Sequence, residues 1–418
     1  MKSVVYFPLR FYSTFLVVTL VVYAFGPWPW PSRYSWEVYG YMTLVFLAMN
    51  LGYRFGAIRR FGLYTGRISA IRLYRIGLYL SLLLFFPTLI WRTGGEYEFS
   101  LELLLNPAVA YMRSHDIDKF SGVAWVEYIR IILAVYLGMV LPLLIVFWEK
   151  LSRSDRVLGM LAVFLEVSLW LAIGTNKGIG DLVIGIFWMF VLRRNSGFTF
   201  KGILKLSLAT FPILILFAVF FTQGQISRHD GFGVQTELHT IDISADRENV
   251  FIRYLPEVAQ NGVIAFSSYL VQGYHGLALS FDEPFVFTWG VGNSRFLTSY
   301  FDRYLGTDLE KATYPARVEK ATGWDSRVQW HTMFPWWASD FTFAGAVLLV
   351  LFFSYFFALA WKDSVYSKNP YAISLSLQFA TLFTYMSANN QAFQSGPGVI
   401  GFWVTFIAWI RTRKEVIR

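Results

Sequence analysis

His331 and Asp340 frame the stretch "WHTMFPWWASDF" (330–341), where a polar segment runs into a long apolar one. A neutral imidazole suits proton transfer near neutral pH, and a carboxylate can orient such a ring. The separation is about 2.5 helical turns, so it does not require direct contact between the two. The plainer alternative is an interfacial histidine satisfied by a backbone carbonyl, beside an aromatic belt of Trp330, Trp336 and Trp337.

Cations supply a second kind of chemistry. Arg228, Arg247, Arg253, Arg295, Arg303, Arg317 and Arg327, with Lys311 and Lys320, crowd the polar stretch 223–336. The planar fork of arginine fits a phosphate or diphosphate without a metal, and solvated surface accounts for part of such a cluster. Lys177, in the turn "GTNKG" (174–178), is either a further anion contact beside a helix N-terminus or the partner of Asp181 at i, i+4. Glu127 and Arg130, at i, i+3, read as an internal pair. Aromatic faces stack on sugar rings, and Tyr269, Tyr274, Trp289, Tyr300, Tyr304, Trp324 and Trp330 offer them.

The sequence contains no Walker loop, no G-x-S-x-G elbow and no cluster of His, Asp and Glu at metal-ligand spacing, so no metal or cofactor is expected. A divalent ion held by carboxylates alone stays open. The absence of cysteine excludes disulfides and thiol chemistry.

The elements that must position these groups are apolar. Of 418 residues, 56% are hydrophobic and only 15% charged, which is outside the soluble globular range and implies a polytopic membrane protein. Apolar blocks of roughly 17 to 24 residues match a ~30 Å hydrocarbon core. They predict about ten spans, near 6–25, 36–53, 76–93, 124–148, 157–174, 178–192, 204–222, 337–360, 370–389 and 396–411. The first follows Lys2 and Arg10 without a cleavage site and reads as a retained helix.

Three parts follow from this pattern. Residues 1–222 hold about seven transmembrane helices, 223–336 form a large folded extracytoplasmic loop, and 337–418 hold about three more transmembrane helices. Within the loop, 261–281 is expected to form interfacial or re-entrant helices. The net charge of +9 comes from bases at span ends, so it speaks for membrane topology and not for nucleic acid. The positive-inside rule puts both termini in the cytoplasm. The basic stretch 59–75 reads as an interfacial helix on anionic lipid.

Taken in order, "GTNKG", "GYHGLALSFDEPFVFTWGVGNS" (273–294) and "HTMFPWWASDFTFAG" (331–345) resemble the Wzy-type polymerases of bacterial polysaccharide repeat units, within the wider O-antigen polymerase and ligase group. The related ligases carry His-Asn-x-x-Leu, then an acidic residue and two glycines. Here His331, Asp340 and Gly345 fall at comparable spacings, with Thr332, Pro335 and Thr342 in place of Asn, Leu and the first Gly. Those departures favour a polymerase over a ligase. Lys177 stands where family members often have Arg.

The resemblance implies an all-α, GT-C-like glycosyltransferase of the bacterial cytoplasmic membrane, with its active site facing the periplasm. Donor and acceptor would both be undecaprenyl-diphosphate-linked oligosaccharides, with no nucleotide sugar. On this reading His331 takes or positions the acceptor proton and Asp340 orients it. Arg228, Arg253, Arg295, Arg327 and Lys177 hold the diphosphate, and Tyr274, Trp324 and Trp330 face the glycan. Membrane lipids and a chain-length regulator protein are the further expected partners. The rivals are a ligase, a structural membrane subunit, and a lipid-linked oligosaccharide transporter, whose cations should line a pathway within the spans.

Overall fold

In lipid every backbone polar group must be satisfied internally, and a helix does this within one segment, so long apolar blocks become helices. In the computed structural model, which describes residues 2–95, 124–175, 177–194, 237–238 and 242–415, the chain is mostly helical. The N-terminal helices are α1 (Lys2–Val5), α2 (Phe7–Phe25), α3 (Trp36–Ile58) and α4 (Ala70–Thr93). Next come α5 (Trp125–Ile132), α6 (Ala134–Leu137), α7 (Val140–Val146), α8 (Arg153–Ala172) and α9 (Lys177–Arg193). After these lie α10 (Glu257–Phe281), α11 (Arg295–Leu305), α12 (Leu309–Ala312) and α13 (Tyr314–Thr322). The chain closes with α14 (Phe334–Tyr366), α15 (Pro370–Thr384) and α16 (Gly396–Thr412).

Among the described residues, α2, α4 and α14 are long and apolar enough to cross a membrane. A fourth span is added if α5 and the α6–α7 segment, bent by 66°, count as one. Helices also fill the other expected blocks, but α15 and α16 run only 15 and 17 residues, and α3, α8 and α9 do not meet the same standard. The block 204–222 lies outside the described residues.

Two short antiparallel ladders complete the fold, β1 (Gly62–Tyr64) with β4 (Arg413–Glu415) and β2 (Glu237–Leu238) with β3 (Ile243–Ser244). The first ladder ties the α3–α4 turn to the end of α16. Asp363, fully buried near the end of α14, accepts hydrogen bonds there from Gly62 N, Trp409 Nε1 and Arg413 Nε, at 2.6, 2.8 and 2.9 Å. Trp361 Nε1 donates to the Val4 carbonyl, and the Tyr53 hydroxyl to that of Val5. The first turn of the chain, the basic turn 59–69 and β4 therefore share one end of the bundle.

The opposite end carries the 330–341 stretch. The expected interfacial pieces over 261–281 are instead part of one 25-residue helix, α10, whose C-terminal half is buried. The cause is close backbone approach at two glycines. A Cβ at Gly273 would lie 2.4 Å from the Ser387 carbonyl oxygen and 2.7 Å from Thr332 N, and one at Gly276 would lie 2.5 Å from the Trp330 carbonyl oxygen. Helix α10 thus wedges directly against residues 330–332. Helix α14 breaks about two turns after its start, at Thr342, whose φ of 61° is a conformation glycine adopts at least cost.

Candidate functional site

Asp340 lies in the first segment of α14 and is buried. One carboxylate oxygen accepts from Thr288 Oγ1 at 2.5 Å, Gly290 N at 2.9 Å and Gly292 N at 3.2 Å. The other accepts from the backbone N and side-chain Nδ2 of Asn293, each at 2.8 Å. Five donors from one loop fill the lone pairs of a single carboxylate. Asp340 therefore organises the loop 288–293 and does not orient His331, which corrects the sequence expectation. The loop it holds presents Phe287 and Trp289 to the outside, with Trp289 74% exposed at a φ of 59°.

His331 is buried, and its Nε2 has no hydrogen-bond partner among the described residues. Its neighbour across the α10 wedge is His275, whose Nδ1 is 2.6 Å from Ser32 Oγ. Tyr274 and Trp324 complete this core. The Tyr274 hydroxyl is 2.7 Å from Thr19 Oγ1, and the Trp324 ring meets His275 edge-on at 4.9 Å. Both aromatic side chains are fully buried, so the expected glycan contacts at Tyr274 and Trp324 are core packing instead. Trp330 is half-buried and packs edge-on against Tyr269 at 4.6 Å.

Burial pushes the His331 pKa down to about 3, against a backbone hydrogen bond with Gln329 that works the other way, and pushes His275 down to about 4. Both rings are neutral at pH 7. A ring sealed from solvent that resists protonation this strongly is poorly placed as a general base, so the expected catalytic role of His331 is not supported by its setting. It has a stability consequence instead. Histidine in the unfolded chain titrates near 6.5, so below that pH the unfolded state binds protons the folded state refuses. Folding stability is intact above about pH 6.5 and falls as pH drops towards the folded values, by roughly 2 kcal/mol per histidine at pH 5. Thermal unfolding of the detergent-solubilised protein is expected to show this acid loss, and His331→Asn to flatten it. An unfolding midpoint unchanged between pH 7.5 and 5 would show that the rings are solvated.

The expected diphosphate ligands do not converge on one point. Arg228 lies outside the described residues. Arg253 is exposed before α10, with its guanidinium 4.6 Å from the centre of the Tyr254 ring. Arg295 and Arg327 converge on Glu310, at 3.5 and 3.7 Å. Lys177 pairs with Asp181 at 2.5 Å, the local alternative at i, i+4.

Lys177 and Asp181 also line a cavity of about 360 Å³ between α5–α9, α15 and the segment that leads into α16. Its walls are largely aliphatic, from residues such as Leu137, Leu141 and Val163, but Arg130, Glu166, Gln378 and Gln391 interrupt them. Arg130 donates to Glu166 at 3.1 Å and to Thr88 Oγ1 at 3.2 Å, so the expected Glu127–Arg130 pair gives way to a contact between helices. Trp170 in the cavity wall takes the Arg92 guanidinium 4.3 Å from its ring centre and the Lys177 ammonium 5.6 Å from it. Two cations thus meet the Trp170 ring, while Arg130 pairs with Glu166 and Lys177 with Asp181.

The cavity is coupled to the Asp340 loop. Ser294 Oγ donates to the Phe393 carbonyl at 2.5 Å, Asn390 Nδ2 to the Asn293 carbonyl at 2.6 Å, and Arg295 N to Gln394 Oε1 at 3.1 Å. The same segment supplies Gln391, Ala392 and Ser395 to the cavity wall. Arg295 therefore lies beside that wall segment, with its guanidinium toward Glu310. Sequence reasoning singled out Arg130 and Lys177 but did not join them to Glu166 and Gln378 as members of one site. Among the described residues no group of three or more His, Asp or Glu is placed to hold a metal ion. No protein-family model, curated protein or solved structure matches this chain.

Proposed function

We propose that the chain is a GT-C-like glycosyltransferase of about ten spans in the bacterial inner membrane. Both termini would be cytoplasmic, and the enzyme would polymerise undecaprenyl-diphosphate-linked repeat units into a surface polysaccharide at the periplasmic face. What carries this reading is the cavity: an aliphatic chamber among membrane-type helices, lined by Arg130 and Lys177 and with Arg92 stacked on its wall residue Trp170, suits a lipid with an anionic head. The motif resemblance adds polymerase over ligase.

In the reaction the acceptor hydroxyl oxygen attacks the anomeric carbon of the donor glycan, whose bond to the diphosphate oxygen breaks. Lipid diphosphate leaves, and the hydroxyl proton passes to a carboxylate. With His331 sealed in the core, Asp181 and Glu166 are the carboxylates that line the cavity, and Arg130 and Lys177 are the cations that meet the leaving group. Arg295, beside the wall segment, receives the diphosphate as it enters. No metal or cofactor takes part.

One observation favours a second reading. The cavity's charges lie inside helices, on α5, α8 and α9, as they should in a lipid-linked oligosaccharide transporter. The two readings divide in detergent, where no compartments exist. Purified protein given lipid-linked repeat units should release lipid diphosphate and build a ladder of longer glycans if it is a polymerase. A transporter would leave the units unchanged there and would move them across the bilayer of a proteoliposome.

A further inference from the structure

A second cavity lies at the base-rich end of the bundle, far in sequence from every residue of the proposed site. It is a groove of about 650 Å³ between α2 and α3, and its polar lining comes from Arg10, Ser13, Thr14, Asn50 and Arg54. Ser13 and Asn50 join the two helices, with Asn50 Nδ2 donating to Ser13 Oγ at 3.2 Å. Arg10 and Arg54 are both exposed, and among the described residues neither guanidinium has an ion-pair partner. Two like charges converging on one groove without an acid repel each other until an anion enters.

Above this polar floor the seam turns apolar on both helices. On α2 the series Arg10, Thr14, Val17 and Val21 follows one helical face, and on α3 Leu47, Leu51 and Arg54 do the same. Val17, Val21, Leu47 and Leu51 are 49, 43, 49 and 48% exposed. Helix α2 is among those apolar enough to cross a membrane, so these side chains sit where acyl chains would be. The floor places cations and hydroxyls at the level of lipid head groups.

We propose that this groove binds an anionic glycerophospholipid, its phosphate between Arg10 and Arg54 and its acyl chains along the Val17–Val21 and Leu47–Leu51 seam. The site is independent of the glycosyltransferase assignment. A zwitterionic lipid would bring its own cation against two guanidinia, so it is selected against. A soluble phosphate lacks the chains that the seam accommodates.

The test uses the full chain purified in neutral detergent and titrated with phosphatidylglycerol, phosphatidylcholine or glycerol 3-phosphate, with lipid adducts read by native mass spectrometry and stability by thermal unfolding. Phosphatidylglycerol alone is expected to give retained adducts and a raised unfolding temperature. The double variant R10Q/R54Q should weaken that binding roughly thirty-fold, about five-fold per arginine, while R10K/R54K keeps most of it. Equal binding of phosphatidylcholine would overturn the proposal, since the seam alone would then suffice. Equal stabilisation by glycerol 3-phosphate would overturn it in favour of a free-anion site, and undiminished phosphatidylglycerol binding by R10Q/R54Q would show the arginines uninvolved.

Discussion

Replacing Arg130 or Lys177 with glutamine is expected to lower polymer formation by roughly two to three orders of magnitude, the loss typical of removing one preorganised stabiliser of transition-state charge. Each glutamine keeps a hydrogen-bonding group in place, so Thr88 and the carboxylates retain a donor and membrane abundance should hold. The charge alone is withdrawn. In an aliphatic chamber a developing diphosphate charge has little water to fall back on, which is why a single cation counts for so much. The double variant should lose less than the product of the two single losses, because both cations meet one leaving group. Lys177→Arg should retain activity. The measurement is the glycan ladder from purified protein with lipid-linked repeat units, and ladders of normal length from both single variants would remove the cavity from the chemistry.

Asp340→Ala is expected to release the loop 288–293 and to destabilise the protein by about 3–5 kcal/mol, as removal of one partner from a buried charged network does. The alanine leaves the Thr288 hydroxyl, three backbone N–H groups and the Asn293 amide without their acceptor. Asp340→Asn, which keeps the shape but loses acceptor capacity and charge, should fall between the two. Hydrogen exchange locates the effect: Gly290, Gly292 and Asn293 should lose protection while the helix α15 keeps it. Unaltered protection in the loop would show that other contacts hold it. Because Ser294, Asn293 and Arg295 also anchor the 390–395 segment, the same variant should slow polymer formation through the cavity rim without touching substrate.

The candidate site was partly legible in the order of residues. Lys177 and Asp181 pair as their i, i+4 spacing allows, because both ends of that contact belong to one helix. Arg130 shows the limit of the same rule. Glu127 stands one turn away, yet the guanidinium reaches Glu166 on α8, since the acid it meets depends on which helix packs alongside. His331, Tyr274 and Trp324 look like functional groups at a polar border, and α10 converts them into core by closing over residues 330–332 through Gly273 and Gly276.

By itself the sequence determined that the chain is helical and suited to a membrane, where its apolar blocks lie, and that its bases gather at the ends of those blocks. Those properties follow from composition and from a 3.6-residue period, both of which are local. Only the tertiary structure decided that Asp340 holds a loop, that two cations, Arg92 and Lys177, meet the Trp170 ring, and that Arg10 and Arg54 share a groove. Each of these joins residues from different helices, and the face one helix turns toward another is set by the packing of the whole bundle and not by any single segment.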